Sequence, residues 1–153
     1  MDLVLWRHAE AQDPMDGQDD MSRGLTGRGE KQAGRMAHWL DRQLPEGTRV
    51  LVSPARRCEQ TAQALGRKFK TRPELAIGST VEQLLEAAQW PQGKGAVLIV
   101  GHQPVLGQAI ARLLGLSASE CVVKRGAVWW LRNRERGELS QTVVVTVQSP
   151  EVL

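Results

Sequence analysis

Three short, uninterrupted apolar runs constrain this chain more than any other feature: LVLW (Leu3–Trp6), VLV (Val50–Val52) and VLIV (Val97–Val100). Each is too brief for a helix, and none alternates with polar residues as a half-solvated strand would. They read as strands buried on both faces, the pattern of a parallel sheet covered by helices. Apolar residues at helical spacing follow each run: Ala33, Met36, Ala37 and Leu40 after the first, Ala62, Leu65 and Phe69 after the second, and Leu106, Ile110, Leu113 and Leu114 after the third. Strands alternating with helices predict an α/β fold, a three-layer α/β/α sandwich around a mainly parallel sheet.

Local signals refine the element boundaries. Thr26 stands where a side-chain oxygen would cap a helix that takes Gly29 to Gln32 into its first turns. Pro54 and Pro104 suit the first turns of helices, where a missing N–H costs little, and Gly115 suits a helix end. Another helix is expected over Val81–Ala88. Beyond Gly126, the β-forming stretches Ala127–Leu131 and Thr142–Val147 flank the polar RNRERGELS, which predicts an antiparallel hairpin at or near the sheet edge with that polar segment as its turn. Arg132, Arg134 and Arg136 then read as solvated turn residues, and the adjacent Trp129 and Trp130 should face opposite sides of their strand. The longest loop is Asp13–Gly24. No repeat or linker interrupts the chain, and 153 residues, 41% hydrophobic and 24% charged, fit one domain over 1–153.

Several function classes recede at this level. The net charge of +3 comes from scattered arginines without a block of like charges, so nucleic acid is not expected as a partner. No apolar run approaches the roughly 20 residues of a membrane span, and no charged segment followed by an apolar core opens the chain. Cys58 and Cys121 have neither metal-ligand spacing nor the density of a disulfide scaffold, which fits reduced thiols in a cytoplasmic protein.

In an open α/β sheet, ligands bind beyond the carboxyl ends of the strands. The residues placed there are Arg7 and His8, then SPARR (Ser53–Arg57), then Gly101 and His102. One rim thus gathers two of the chain's three histidines together with arginines, while His38 falls in the first helix, away from the rim. Arginine offers planar, bidentate donors matched to phosphate oxygens and keeps its charge at physiological pH. A neutral imidazole beside a phosphoryl group can attack phosphorus, and nearby guanidinium charges lower its pKa and keep the lone pair available. The usual nucleotide-binding loops are missing, since Gly93-Lys94 is followed by Gly95, and GLTGRGEKQAG lacks the spacing and preceding strand of a dinucleotide fingerprint. The histidines lie far apart in sequence without metal-ligand company, so no metal and no cofactor are expected.

These residues carry a resemblance. RHA (Arg7–Ala9), LTGRGEKQA (Leu25–Ala33), SPARRCEQTA (Ser53–Ala62) and GHQP (Gly101–Pro104) are similar, in order, to the Arg-His-Gly, LTxxGxxQA, SxxxRAxQTA and later-histidine motifs of the histidine phosphatase superfamily, whose fold is phosphoglycerate mutase-like. By motif position, His8 resembles the nucleophile that is transiently phosphorylated, and Arg7, Arg57 and His102 resemble the rest of a phosphate pocket. Arg56 falls on a variable position. Ala9 departs from the strict glycine, but RHAEA, GHQP and RGAVWWL together resemble the small SixA-type protein-histidine phosphatases. That resemblance implies a phosphatase acting on phosphohistidine of a protein.

Larger relatives carry a cap between the second helix and the strand of the later histidine. Here only Lys70–Ala96 fills that interval and must also supply a strand and a helix, so no cap domain is expected and the open site suits a phosphorylated protein. Those relatives also protonate an alkoxide leaving group with a carboxylic acid. Glu74, Glu82 and Glu86 are the candidates here, and each reads equally well as a solvated charge. The rival readings are a broad phosphatase of small phosphorylated molecules, which an effective acid would favour, and a non-catalytic phosphate-binding module, which would have no need of a nucleophile.

Overall fold

The computed structural model describes every residue from Met1 to Leu153. Its six strands are β1 (Asp2–Arg7), β2 (Arg49–Val52), β3 (Lys70–Thr71), β4 (Ala96–Gly101), β5 (Val128–Arg136) and β6 (Leu139–Gln148). Its four α-helices are α1 (Gly27–Gln43), α2 (Arg56–Gln63), α3 (Val81–Ala88) and α4 (Val105–Leu114). The strands form one sheet in the order β3-β2-β4-β1-β5-β6. The first four run parallel, and β5 and β6 add an antiparallel hairpin at one edge. Within Lys70–Ala96 lie β3, a short turn of 3-10 helix at Pro73–Leu75 and α3.

The continuous apolar runs are explained by two cores, one on each face of the sheet. Leu3, Leu5, Leu51, Val97 and Ile99 pack with Leu84 of α3 and Leu106 and Ile110 of α4. Their neighbours Val4, Trp6, Val50, Val52, Leu98 and Val100 point the other way, onto Met36 and Leu40 of α1 and Cys58 and Ala62 of α2. Successive strand residues alternate faces, so a strand covered on both sides must be apolar at every position. Trp129 and Trp130 separate between the two cores as the pleat requires.

Thr26 caps α1 by accepting the Gly29 N–H at 2.9 Å, and Gly115, with φ +67°, ends α4. Three expectations need correction. Leu65 and Phe69 lie outside α2, because the chain leaves the helix after Gln63 and turns at Gly66 with φ +72°. Pro54 precedes α2 instead of opening it, and Pro104 sits at the cap of α4. The segment RNRERGELS is mostly strand: the turn is Gly137-Glu138, so Arg132, Arg134 and Arg136 belong to β5. Arg132 is anchored there by two hydrogen bonds to Asp2, of 2.8 and 2.9 Å, and Asp2 also accepts from Trp130 Nε1. Charged residues were misleading because this hairpin extends past the covered part of the sheet, where strand pairing needs no apolar face.

No helix is long and apolar enough to cross a membrane. Both cysteines are free.

Candidate active site

The parallel strands end at a common rim, and four elements meet there. Arg7 closes β1 and His8 follows it; the His8 N–H donates to Gly101 O at the end of β4, which brings His102 alongside. The two rings stand 5.4 Å apart, edge to face. Ser53 follows β2, and α2 turns Arg57 inward, leaving its side chain 3% exposed while its neighbour Arg56 faces solvent. The structure therefore brings Arg7, His8, Arg57 and His102 together and leaves His38 exposed on α1.

His8 Nδ1 lies 2.8 Å from Ala9 O, so it carries the ring proton and donates it, which leaves the Nε2 lone pair free. Burial pushes the pKa of His8 down to about 3 against the opposing Ala9 hydrogen bond, with His102, Arg57 and Arg7 adding smaller shifts in the same downward direction. The imidazole is thus neutral, mainly through desolvation and only secondarily through the arginine charges to which sequence reasoning attributes it. His102 is lowered to about 4, again by burial first and Arg57 second, with Asp20 opposing.

Ser53 Oγ stands 2.8 Å from His102 Nε2 and already accepts the Ala55 N–H. When the hydroxyl donates its proton to Nε2, the ring proton of neutral His102 resides on Nδ1. Sequence reasoning put Ser53 on the rim without this role.

The two arginines share a pattern. Arg7 Nη1 donates to Val123 O at 2.8 Å, and Arg57 Nη1 and Nη2 donate to Asp20 O and Oδ2 at 2.8 and 3.0 Å. In both, Nε is buried and without a partner. A buried N–H left unmatched is costly, and here two such donors belong to the arginines whose charges act on His8. No group of three His, Cys, Asp or Glu side chains is placed to hold a metal ion.

The proposed acids are not in this constellation. Glu74 is paired with Arg72 at 3.0 Å and Glu82 with Arg112 at 2.7 Å, while Glu86 is exposed on α3. Glu74 and Glu82 are held below the usual carboxylate range, first by their own backbone N–H groups and then by these arginines. The carboxylate that does touch the site is Asp20, in the Asp13–Gly24 loop, which sequence reasoning left unassigned.

The model of the histidine phosphatase superfamily (branch 1) matches residues 3–78. The phosphohistidine phosphatase SixA of Escherichia coli (strain K12) is 34% identical over 123 residues, covering 74% of this chain and 74% of that protein. The chain belongs to the histidine phosphatase superfamily. A SixA homolog of Haemophilus influenzae is 32% identical over 131 residues, covering 75% of this chain and 78% of its own. The structure of the protein histidine phosphatase SixA complexed with tungstate superimposes with a TM-score of 0.82, at 28% identity and 99% coverage of both chains.

In this histidine phosphatase, the motif residues beyond the rim act as latches on the segment that carries His8 and on Leu25 just before α1. Gln32 Oε1 accepts the Glu10 N–H at 2.9 Å, Thr61 Oγ1 accepts the Ala9 N–H at 3.1 Å, and Gln60 Oε1 accepts the Leu25 N–H at 2.7 Å. Gly29 lets α1 approach that segment, since a Cβ there would stand 2.0 Å from Glu10 O. From the other side, Gly126, with φ +73°, donates its N–H to both Arg7 O and His8 O. The residues expected to be merely structural thus fix where the imidazole stands.

Proposed function

We propose that this chain, as one domain over residues 1–153, is a metal-independent phosphohistidine phosphatase that hydrolyses phosphate from a histidine of a partner protein through a phosphorylated His8. The observation that carries this reading is the neutral His8 ring, with Nδ1 committed to Ala9 O and Nε2 unpartnered, beside Arg7 and Arg57, whose Nε donors are buried and unmatched.

His8 Nε2 attacks phosphorus as the bond from phosphorus to the substrate imidazole breaks. The bonding electrons pass to that imidazole, which leaves neutral because its other nitrogen keeps its proton. Arg7, Arg57 and the Nδ1–H of His102 hold the equatorial oxygens, whose charge is the main burden of phosphoryl transfer. Water then attacks phosphorus in line, the bond to Nε2 breaks, and the water's proton leaves with the phosphate and solvent.

Leaving-group chemistry favours phosphohistidine over an alkyl phosphate. An alkoxide needs a proton donor, whereas Glu74 and Glu82 are ionised and paired elsewhere, and Asp20 is lowered: burial works against ionisation there, but hydrogen bonds from Arg23 and Arg57 outweigh it. The likeness to the SixA proteins supports the same substrate class, and tungstate in that structure is a tetrahedral oxyanion of the phosphate type.

The test is labelling by a protein carrying radioactive phosphohistidine, quenched by denaturation at alkaline pH, where phosphoramidates survive. Wild type should trap label on His8, His102→Ala should slow turnover, and His8→Ala should neither trap label nor release phosphate. Undiminished release by His8→Ala would sink the mechanism.

A further inference from the structure

Arg57 is held by a single residue of the Asp13–Gly24 loop. Its Nη1 reaches the main-chain oxygen of Asp20 and its Nη2 reaches the carboxylate, so Asp20 occupies the end of the guanidinium twice over. The planar group has a second, lateral fork formed by Nε–H and the remaining Nη2–H, and that Nε is the buried, unmatched donor. A carboxylate placed on the lateral fork would compete with phosphate. Placed on the end, it fixes the plane of the guanidinium and leaves the lateral Nε donor unpaired.

Asp20 is itself held. Its other oxygen accepts Arg23 Nε at 2.9 Å, and Arg23 Nη1 is tied to Gln12 O at 2.7 Å. The short 3-10 turn at Asp20–Ser22 is capped by Asp19, whose side chain accepts the Met21 N–H. The Asp20 side chain remains 48% exposed, so replacing it removes no core packing.

The geometry points to Asp20 as the positioning residue for Arg57, clasping the end of its guanidinium so that the lateral fork is presented to a phosphoryl group. This rests on the reading of Arg57 as a phosphate ligand. The loop is then part of the binding machinery, and its carboxylate acts through the arginine without touching the substrate.

The test is calorimetric titration of inorganic phosphate into wild type, Asp20→Ala, Asp20→Asn, Arg57→Ala and the double variant Asp20→Ala/Arg57→Ala, with steady-state kinetics on a phosphohistidine protein. Losing one charge-assisted hydrogen bond at a half-exposed site predicts about tenfold weaker phosphate binding in Asp20→Ala. The rise should fall on KM more than on kcat. Asn retains an oxygen that can accept from Nη2, so Asp20→Asn should recover most of the affinity. In the Arg57→Ala background, Asp20→Ala should add nothing, because the residue it positions is gone.

Tighter phosphate binding by Asp20→Ala would mean that the carboxylate is a competitor for the pocket and would overturn the proposal. So would an equal loss in the Arg57→Ala background. Unchanged binding in Arg57→Ala would instead remove the phosphate-pocket reading itself, and is thereby distinguishable.

Discussion

Acid should destabilise this protein through His8 and His102 before its carboxylates take part. The two imidazoles lie at about 3 and about 4 in the folded chain, against 6.5 ordinarily. With both depressed, the unfolded chain takes up the protons first as pH falls. Their contribution to stability is whole above pH 6.5, declines below it, and ceases to decline further near pH 4 for His102 and pH 3 for His8. Between about pH 6 and 5 nearly two extra protons bind the unfolded state, so stability should fall by roughly 2 kcal/mol per pH unit, accumulating to about 4 kcal/mol at pH 5. That is a large share of the ~5–15 kcal/mol typical of a folded domain.

Urea unfolding at a series of pH values from neutral down to about 5 measures this directly. His8→Gln, which cannot titrate, should keep only about half of the wild-type slope. Asp2 and Asp20 are lowered carboxylates, whose contributions are lost only further into the acid range. A wild-type stability that is flat between pH 7 and 5, or a His8→Gln slope equal to that of wild type, would refute the account of both rings as buried and neutral.

Ser53→Ala frees the His102 tautomer and should lower kcat about tenfold with a smaller effect on KM, measured on a phosphohistidine protein, since one neutral hydrogen bond orients the donor. Gly29→Ala places a Cβ against Glu10 O and should cost at least about 2 kcal/mol in urea unfolding, despite alanine's helical preference. Its control, Gly34→Ala, meets nothing within 4 Å in the same helix and should stabilise by up to ~1 kcal/mol. Burial pushes the Cys58 thiol up to about 12, so a thiol reagent should modify Cys58 only in denaturant; rapid labelling in the native state would contradict its placement.

The parallel part of the sheet was legible because strands covered on both faces leave continuous apolar runs, and the helices between them keep their periodicity. The rim was legible for the same reason, since each run stops where the polar site begins. Phe69 was misread because its spacing from Leu65 is helical although Gly66 intervenes. The hairpin was cut short because Arg132, Arg134 and Arg136 pair as strand without being covered. Asp20 could not be singled out among Asp13, Asp16, Asp19 and Asp20, since only the folded loop brings one of them to Arg57.

The site is organised against the interests of the empty protein. Arg57 and the half-buried Arg7 each keep a buried, unmatched Nε donor, costing about 1–3 kcal/mol apiece, and two imidazoles are kept neutral by desolvation. The latches from α1 and α2 and the Gly126 turn hold these groups in place, and the cores on both faces of the sheet offset their cost. In the proposed mechanism a phosphoryl group arriving at the rim meets these donors already in place, which is the preorganisation that phosphoryl transfer requires. Between β3 and β4 the chain spends its residues on a short turn and α3 instead of a lid, so under the proposed mechanism the discrimination left to this site lies in the leaving group: an imidazole departs unaided, whereas an alkoxide needs a proton donor.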